Sequence, residues 1–125
     1  MSGYFFSAAA LVAFAAFLTH SLIGSKYAVR PLLSATDITP ASRWLNYLCW
    51  HMATILVLVM AATLTCVAAD LISRDAVIPI AIMAFGTSIL SIVITLRAGI
   101  NPLRFPASYL FGMVAILAVL GLVST

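Results

Sequence analysis

Four uninterrupted apolar runs constrain the fold of this chain more than any other feature. No Asp, Glu, Lys or Arg occurs within residues 1–25, 44–69, 76–96 or 105–125. Because a helix rises 1.5 Å per residue, roughly 20 apolar residues cross the hydrocarbon core of a bilayer, and each run meets that requirement. Strands of a membrane barrel would instead be segments of about 10 residues with alternating hydrophobicity. The sequence therefore predicts an all-α bundle of four transmembrane helices with antiparallel, up-and-down connections.

The whole chain, residues 1–125, is predicted to be one integral membrane domain. Only 7% of its residues are charged, whereas a soluble domain has about a quarter, so no soluble portion is expected. Thr39 is predicted to cap the second helix, with Pro40 at its first position. The predicted helices cover approximately residues 4–25, 40–69, 76–97 and 103–123.

Positive charge is concentrated in two of the three connections between these helices. The second connection has one Arg with two Asp residues, whereas the first and third are rich in Lys and Arg. Such loops stay on the cytoplasmic side, so we expect both termini outside. The net charge of +3 then follows from membrane orientation, and no feature suggests nucleic acid as a partner. The cations of the predicted inner end are Lys26, Arg30, Arg43, Arg97 and Arg104.

His20 and His51 are the two histidines of the chain, and each lies inside an apolar run. An ionisable side chain within a membrane segment is costly to hold and therefore marks a candidate site. The two histidines lie at matching depths on adjacent antiparallel helices, so each helix can turn its histidine toward the other. Helical spacing predicts that they share faces with Ala9, Ala13 and Ala16, and with Thr54, Leu58, Ala61 and Thr65, respectively.

Several roles are compatible with this pair. An intramembrane imidazole commonly hydrogen-bonds to a carbonyl or hydroxyl group of a neighbouring helix and holds the bundle together. Two imidazoles can instead ligate the iron of a b-type haem, although the alanine-rich faces favour packing too close for a porphyrin. Zinc or copper lacks a full ligand set, since Cys49 lies about 200° around the helix from His51. A site for a quinone, a lipid or a protein partner is the remaining alternative.

Arginine and tryptophan residues near the predicted inner end are candidates for contact with lipid or with a protein partner. Guanidinium groups bind phosphate and carboxylate, and they also snorkel to the interface without binding a specific ligand. The third helix carries a polar stripe of Thr87, Ser91 and Thr95, which is more typical of hydrogen bonding between helices than of a conduction path. The candidate contact residues are Arg43, Trp44, Trp50, Arg97 and Arg104.

Short motifs in the first half of the chain resemble a pattern found in small four-helix bacterial membrane proteins of no known activity. They are His20-Ser21-Leu22-Ile23-Gly24, Arg30-Pro31-Leu32-Leu33, Arg43 and Trp50-His51. The resemblance implies a multi-pass protein of the bacterial inner membrane, with a shared role for His20 and His51. A common variant has an acidic residue directly after the glycine, where this chain has Ser25, so a carboxylate partner for the histidine is missing.

Catalytic motifs are absent from the sequence, which has no Ser-His-Asp set, no paired intramembrane carboxylates and no glycine-rich phosphate loop. We therefore expect no enzyme. The main hypothesis is a non-catalytic structural or assembly subunit, accessory to a larger inner-membrane complex. Its partners would be lipids and other membrane subunits or further copies of itself, and His20 and His51 would join the first two helices. The alternative is a bis-histidine subunit that binds haem b and exchanges electrons with quinone.

Overall fold

A computed structural model describes residues 1–124, and the regular secondary structure of these residues is entirely helical. Four of its helices are long and apolar enough to cross a membrane. The predicted all-α class and the number of spans are therefore confirmed.

The first membrane helix runs from Ser2 to Ser34. Its first part, α1, covers Ser2–Leu18, a π-helical segment covers Thr19–Val29, and a short final helix, α2, covers Arg30–Ser34. The charges that begin at Lys26 predict an end near residue 25. The helix continues instead, because long Lys side chains can reach the polar interface from a helical backbone.

The other three membrane helices begin at prolines or after short turns. Helix α3 covers Pro40–Ala68, and the predicted Thr39 cap is present, with its Oγ1 accepting a hydrogen bond from the Ser42 N–H at 3.2 Å. Helix α4 covers Val77–Arg97, and α5 covers Pro106–Val123. Short 3₁₀ turns over Arg74–Ala76 and Pro102–Arg104 precede α4 and α5, so the fourth span begins later than the predicted residue 103.

Helices α1 and α5 occupy the two inner positions of the bundle, and α1 lies between α3 and α5. Helix α1 packs against α3 and against α5, and α5 also packs against α4, whereas α3 and α4 touch little. Successive membrane helices run in opposite directions. The end of the bundle with Lys26, Arg30, Arg43, Arg97 and Arg104 is called the basic end below. The opposite end, with Arg74 and the first turn of α1, is called the distal end.

Small residues of α1 pack with larger residues of α3. Ala9, Ala13 and Ala16 are buried, which confirms the predicted face of α1. The predicted face of α3 is wrong except at Ala61, because His51, Leu58 and Thr65 are exposed. The helix is turned by about one residue, or 100°, so that larger side chains fill the space beside the alanines. The buried residues of α3 are Val57, Met60, Ala61, Leu64 and Val67.

A cluster at the distal end joins α1, α5 and the connection before α4. Phe6 is only 1% exposed, and its ring lies against Gly121. The Arg74 guanidinium lies 5.5 Å from the centre of that ring and donates hydrogen bonds to the carbonyls of Gly121, at 2.5 Å, and Ser124, at 2.8 Å. Carbonyls in the last turn of a helix lack partners within the helix, so Arg74 satisfies two of them. These four residues are called the distal cluster.

Buried serines join α4 to α5. Ser88 Oγ donates to the Ser108 carbonyl at 2.6 Å, and the hydroxyls of Ser91 and Ser108 lie 3.0 Å apart. The close approach depends on Gly112, because a Cβ there would lie 3.2 Å from Ser88 Oγ. Thr95 donates to the Ser91 carbonyl of its own helix. The polar stripe of the third span therefore supplies hydrogen bonds between and within helices, as lipid offers its hydroxyl groups no partner.

We expect Ser88→Ala to lower the free energy of unfolding by about 1 kcal/mol, since a side-chain hydrogen bond between membrane helices contributes about 0.6 kcal/mol on average and at most about 1.7. Ser7→Ala, at an exposed position of α1, is the matched control and should change it little. Unfolding in bicelles by titration with dodecyl sulfate, followed by circular dichroism, measures both. An equal decrease in the free energy of unfolding in the two variants would contradict the role of Ser88 in joining α4 to α5.

Candidate functional site

His20 stacks on Trp50 where the π-helical segment meets α3. The two ring centres lie 3.9 Å apart, and the ring planes are inclined by only 15°. His20 Nε2 also lies 3.3 Å from the carbonyl oxygen of Trp50, so the imidazole N–H can donate to that oxygen. One side chain of the first membrane helix thus makes both an apolar and a polar contact with a single residue of α3. This pair is called the His20–Trp50 junction.

Gly24 makes room for the indole of this junction. A Cβ at position 24 would lie 2.5 Å from Trp50 Cη2 and 3.0 Å from Cζ2. The next residue, Ser25, donates its hydroxyl to the Ser21 carbonyl at 2.6 Å. The Ser25 side chain therefore bonds to its own helix and not to His20.

The π-helical hydrogen bonding over Thr19–Val29 directs the residues that meet Trp50. At its end the Arg30 N–H bonds to the Ser25 carbonyl, five residues earlier. A turn of this width places residues that are four or five positions apart on the same side of the helix. His20 and Gly24 are four positions apart, and both contact the Trp50 indole. π-Helical turns are rare and occur frequently at functional sites.

His51 lies on a different side of α3 from Trp50. It is exposed, and its ring contacts Tyr47 edge-on, with 4.5 Å between ring centres and 87° between planes. Because Trp50 faces the first membrane helix, the next residue is turned away by about 100°. Each histidine therefore has its own aromatic partner on α3. Joint ligation of a haem by His20 and His51 stays a prediction.

The predicted contact residues of the basic end occupy different positions. Arg43 is half-buried and donates to the Ala35 carbonyl, which closes the connection between α2 and α3. Trp44 is exposed and packs edge-on against Tyr47, and Arg97 is exposed in the last turn of α4. Of the five predicted contact residues, Trp50 and Arg104 line a common cavity.

That cavity has a volume of about 430 Å³ and lies between the π-helical segment and the beginning of α5. Its walls are mostly apolar, with a few polar side chains among them. Cavities of this size and composition are typical of binding sites for small molecules. Two surface grooves of similar volume, between α1 and α3 and between α4 and α5, have no charged residue in their walls. The polar side chains of the cavity are Thr19, His20, Tyr27, Trp50 and Arg104.

A metal centre built from three or more protein ligands is not found within residues 1–124, where no three His, Cys, Asp or Glu side chains lie close enough to share an ion. Both cysteines are free thiols, with Cys49 exposed and Cys66 half-buried. No protein-family model, curated protein or solved structure matches this chain.

Proposed function

We propose that this chain is a non-catalytic subunit of the bacterial inner membrane, with a structural or assembly role in a larger membrane complex. The single observation that favours a structural role over a haem-binding one is the contact between His20 and Trp50. One face of the imidazole is covered by the indole, and one ring nitrogen lies at a main-chain carbonyl of α3. Polar residues that pair across membrane helices in this way hold helices together.

The exterior of the bundle supports a partner that is itself embedded in the membrane. Large apolar side chains are exposed on α3 and α4, including Ile55, Leu56, Ile89 and Leu90. The two helices also touch little, so their sides remain available to lipid or to the helices of another subunit, which are equally apolar neighbours. The short connections offer little polar surface to a soluble partner.

The distribution of charge supports an orientation with the basic end in the cytoplasm. Five of the six cationic side chains are at that end, with Asp37 as its one carboxylate. The connection at the distal end has Arg74 together with Asp70 and Asp75. This asymmetry is the one that the positive-inside rule associates with cytoplasmic loops.

Purification of the tagged protein from its native membrane in mild detergent tests the proposal. We expect at least one other membrane protein in a fixed stoichiometric ratio, and oxidised and dithionite-reduced absorption spectra without a Soret band. A Soret band that is lost in both His20→Gln and His51→Gln would make the chain a haem subunit instead. A colourless protein that is recovered alone would contradict the role in a complex.

A further inference from the structure

We propose that the cavity beside the His20–Trp50 junction binds an anionic phospholipid from the leaflet at the basic end. The lipid phosphate lies at Arg104, and the first part of one acyl chain lies between the π-helical segment and α5. This binding site is additional to the structural role of the junction. Three observations support it: the order of side chains along the cavity, the lack of a side-chain hydrogen bond at Arg104, and the positive charge of the basic end.

The charged side chain of the cavity lies at its interfacial end, and the apolar side chains of α5 line the part below it. Arg104 lies two residues before the fourth span begins at Pro106, where a headgroup lies, and Tyr27 of the first span lines the same end of the cavity. Leu110 and Phe111 line the cavity more than one helical turn further along α5, at a depth of about 6 to 8 Å below Pro106. A ligand that matches this order has a charged head at the interface and a hydrocarbon chain below it, which is the structure of a phospholipid.

The Arg104 guanidinium is available to a ligand. Two other arginines use their side chains within the protein, since Arg43 donates to Ala35 and Arg74 donates to the end of α5. Arg104 is exposed and makes no side-chain hydrogen bond within residues 1–124. The planar guanidinium fits two phosphate oxygens at once, so it is suited to a phospholipid headgroup.

Thr19 adds a hydroxyl group to the wall of the same cavity. Thr54 and Thr65 of α3 donate their hydroxyls to carbonyls four residues earlier in the helix. Thr19 makes no such bond to the part of the chain that the structure describes. Thr19 lies eight residues before Tyr27 and therefore at the deep end of the cavity, so its hydroxyl is beside the acyl chain and is not a contact of the headgroup.

The charge of the basic end favours an anionic lipid over a zwitterionic one. Its five cations exceed its one carboxylate by four charges. Basic pockets between transmembrane helices on the cytoplasmic side are typical sites for anionic headgroups. A neutral quinone would gain nothing from Arg104 as a cation, and a lipid without net charge would gain less.

The quenching of Trp50 fluorescence by brominated lipids tests this site. The chain has two tryptophans, so Trp44→Phe leaves Trp50 as the single reporter at the cavity wall. The variant is reconstituted into phosphatidylcholine bilayers that contain increasing fractions of brominated phosphatidylglycerol or brominated phosphatidylcholine. We expect half-maximal quenching at about a fivefold lower fraction of the anionic lipid, the effect of one arginine near a lipid surface.

Two matched pairs of variants separate the cavity from the general surface charge. Arg104→Gln should remove the preference for phosphatidylglycerol, whereas Arg97→Gln, at an exposed arginine of the same end outside the cavity, should keep it. Ala107→Leu fills the cavity and should reduce quenching by both lipids, whereas Ala62→Leu, in the groove between α1 and α3, should not.

Four outcomes would overturn the proposal. Equal quenching by the two lipids would remove the anionic preference, and equal losses in Arg97→Gln and Arg104→Gln would assign it to the surface charge as a whole. Stronger quenching by a brominated quinone analogue than by brominated phosphatidylglycerol would show that the cavity prefers a neutral ring compound. Loss of the preference on addition of inorganic phosphate would assign Arg104 to a soluble anion.

Discussion

Gly121→Ala should lower the free energy of unfolding by about 2 kcal/mol, although it adds only one methyl group. The new Cβ would lie 2.6 Å from Phe6 Cδ1 and 2.9 Å from Cζ, and closer still to Cε1. The ring is buried, and Arg74 lies over it while bonded to two carbonyls of the last turn of α5. It therefore cannot move without disturbing the rest of the distal cluster, and overpacking of this kind costs about 1 to 3 kcal/mol.

The same substitution at another glycine is the control for this prediction. A Cβ at Gly86, in the middle of α4, has no atom within 4 Å, so Gly86→Ala should be neutral or slightly stabilising. Titration with dodecyl sulfate in bicelles measures both variants. Phe6→Leu in the Gly121→Ala background should recover part of the loss, because it removes the ring atoms that the methyl group meets. Equal stability of the two alanine variants would show that the Phe6 ring is not confined.

His20→Ala should lower the free energy of unfolding by about 2 kcal/mol, whereas His51→Ala should change it by less than about 0.5 kcal/mol. The first variant loses the stacked contact with Trp50, which contributes about 0.5 to 1.5 kcal/mol, and a polar contact with the α3 main chain, which contributes about 0.6 kcal/mol or more. The second loses only an edge contact with Tyr47 at an exposed position.

A third variant separates the two contributions of His20. His20→Phe retains a ring that can stack on Trp50 but has no nitrogen for the carbonyl, so it should recover about half of the loss in His20→Ala. In the Trp44→Phe background, Trp50 emission reports the junction during the same titration. Equal losses in His20→Ala and His51→Ala would instead indicate that the histidines act as a pair, as the haem alternative requires.

The positions of the membrane spans could be predicted from the sequence, because length and apolar character alone determine whether a helix can cross a bilayer. The capping of α3 by Thr39 could also be predicted from the sequence, because a cap depends only on neighbouring residues. The end of the first span could not be predicted, because Lys26 is compatible with a loop and also with a helix whose Lys side chain reaches the interface. The π-helical segment has no pattern in the sequence by which it could be predicted.

The candidate site could be predicted only in part from the sequence. His20 was correctly identified as a residue that faces α3, but His51 was assigned to the same interface. Whether His51 or Trp50 faces the first span depends on a rotation of α3 by one residue. The fit of Met60 and Leu64 beside the alanines of α1 sets that rotation. The cavity was missed because it depends on how the first span and α5 pack, and Arg104 is far from His20 in sequence.

The packing of α1 between α3 and α5 also determines the order in which this bundle can be completed during synthesis. Of the two neighbours of α1, α3 follows directly in the chain, whereas α5 is the last of the four spans to be made. The first span must therefore wait in the membrane with one side covered by lipid or by the insertion machinery. Phe6 and Gly121 can meet only after three more spans have been inserted. Assembly thus depends on a contact between segments far apart in the chain, which is slow to form compared with local contacts.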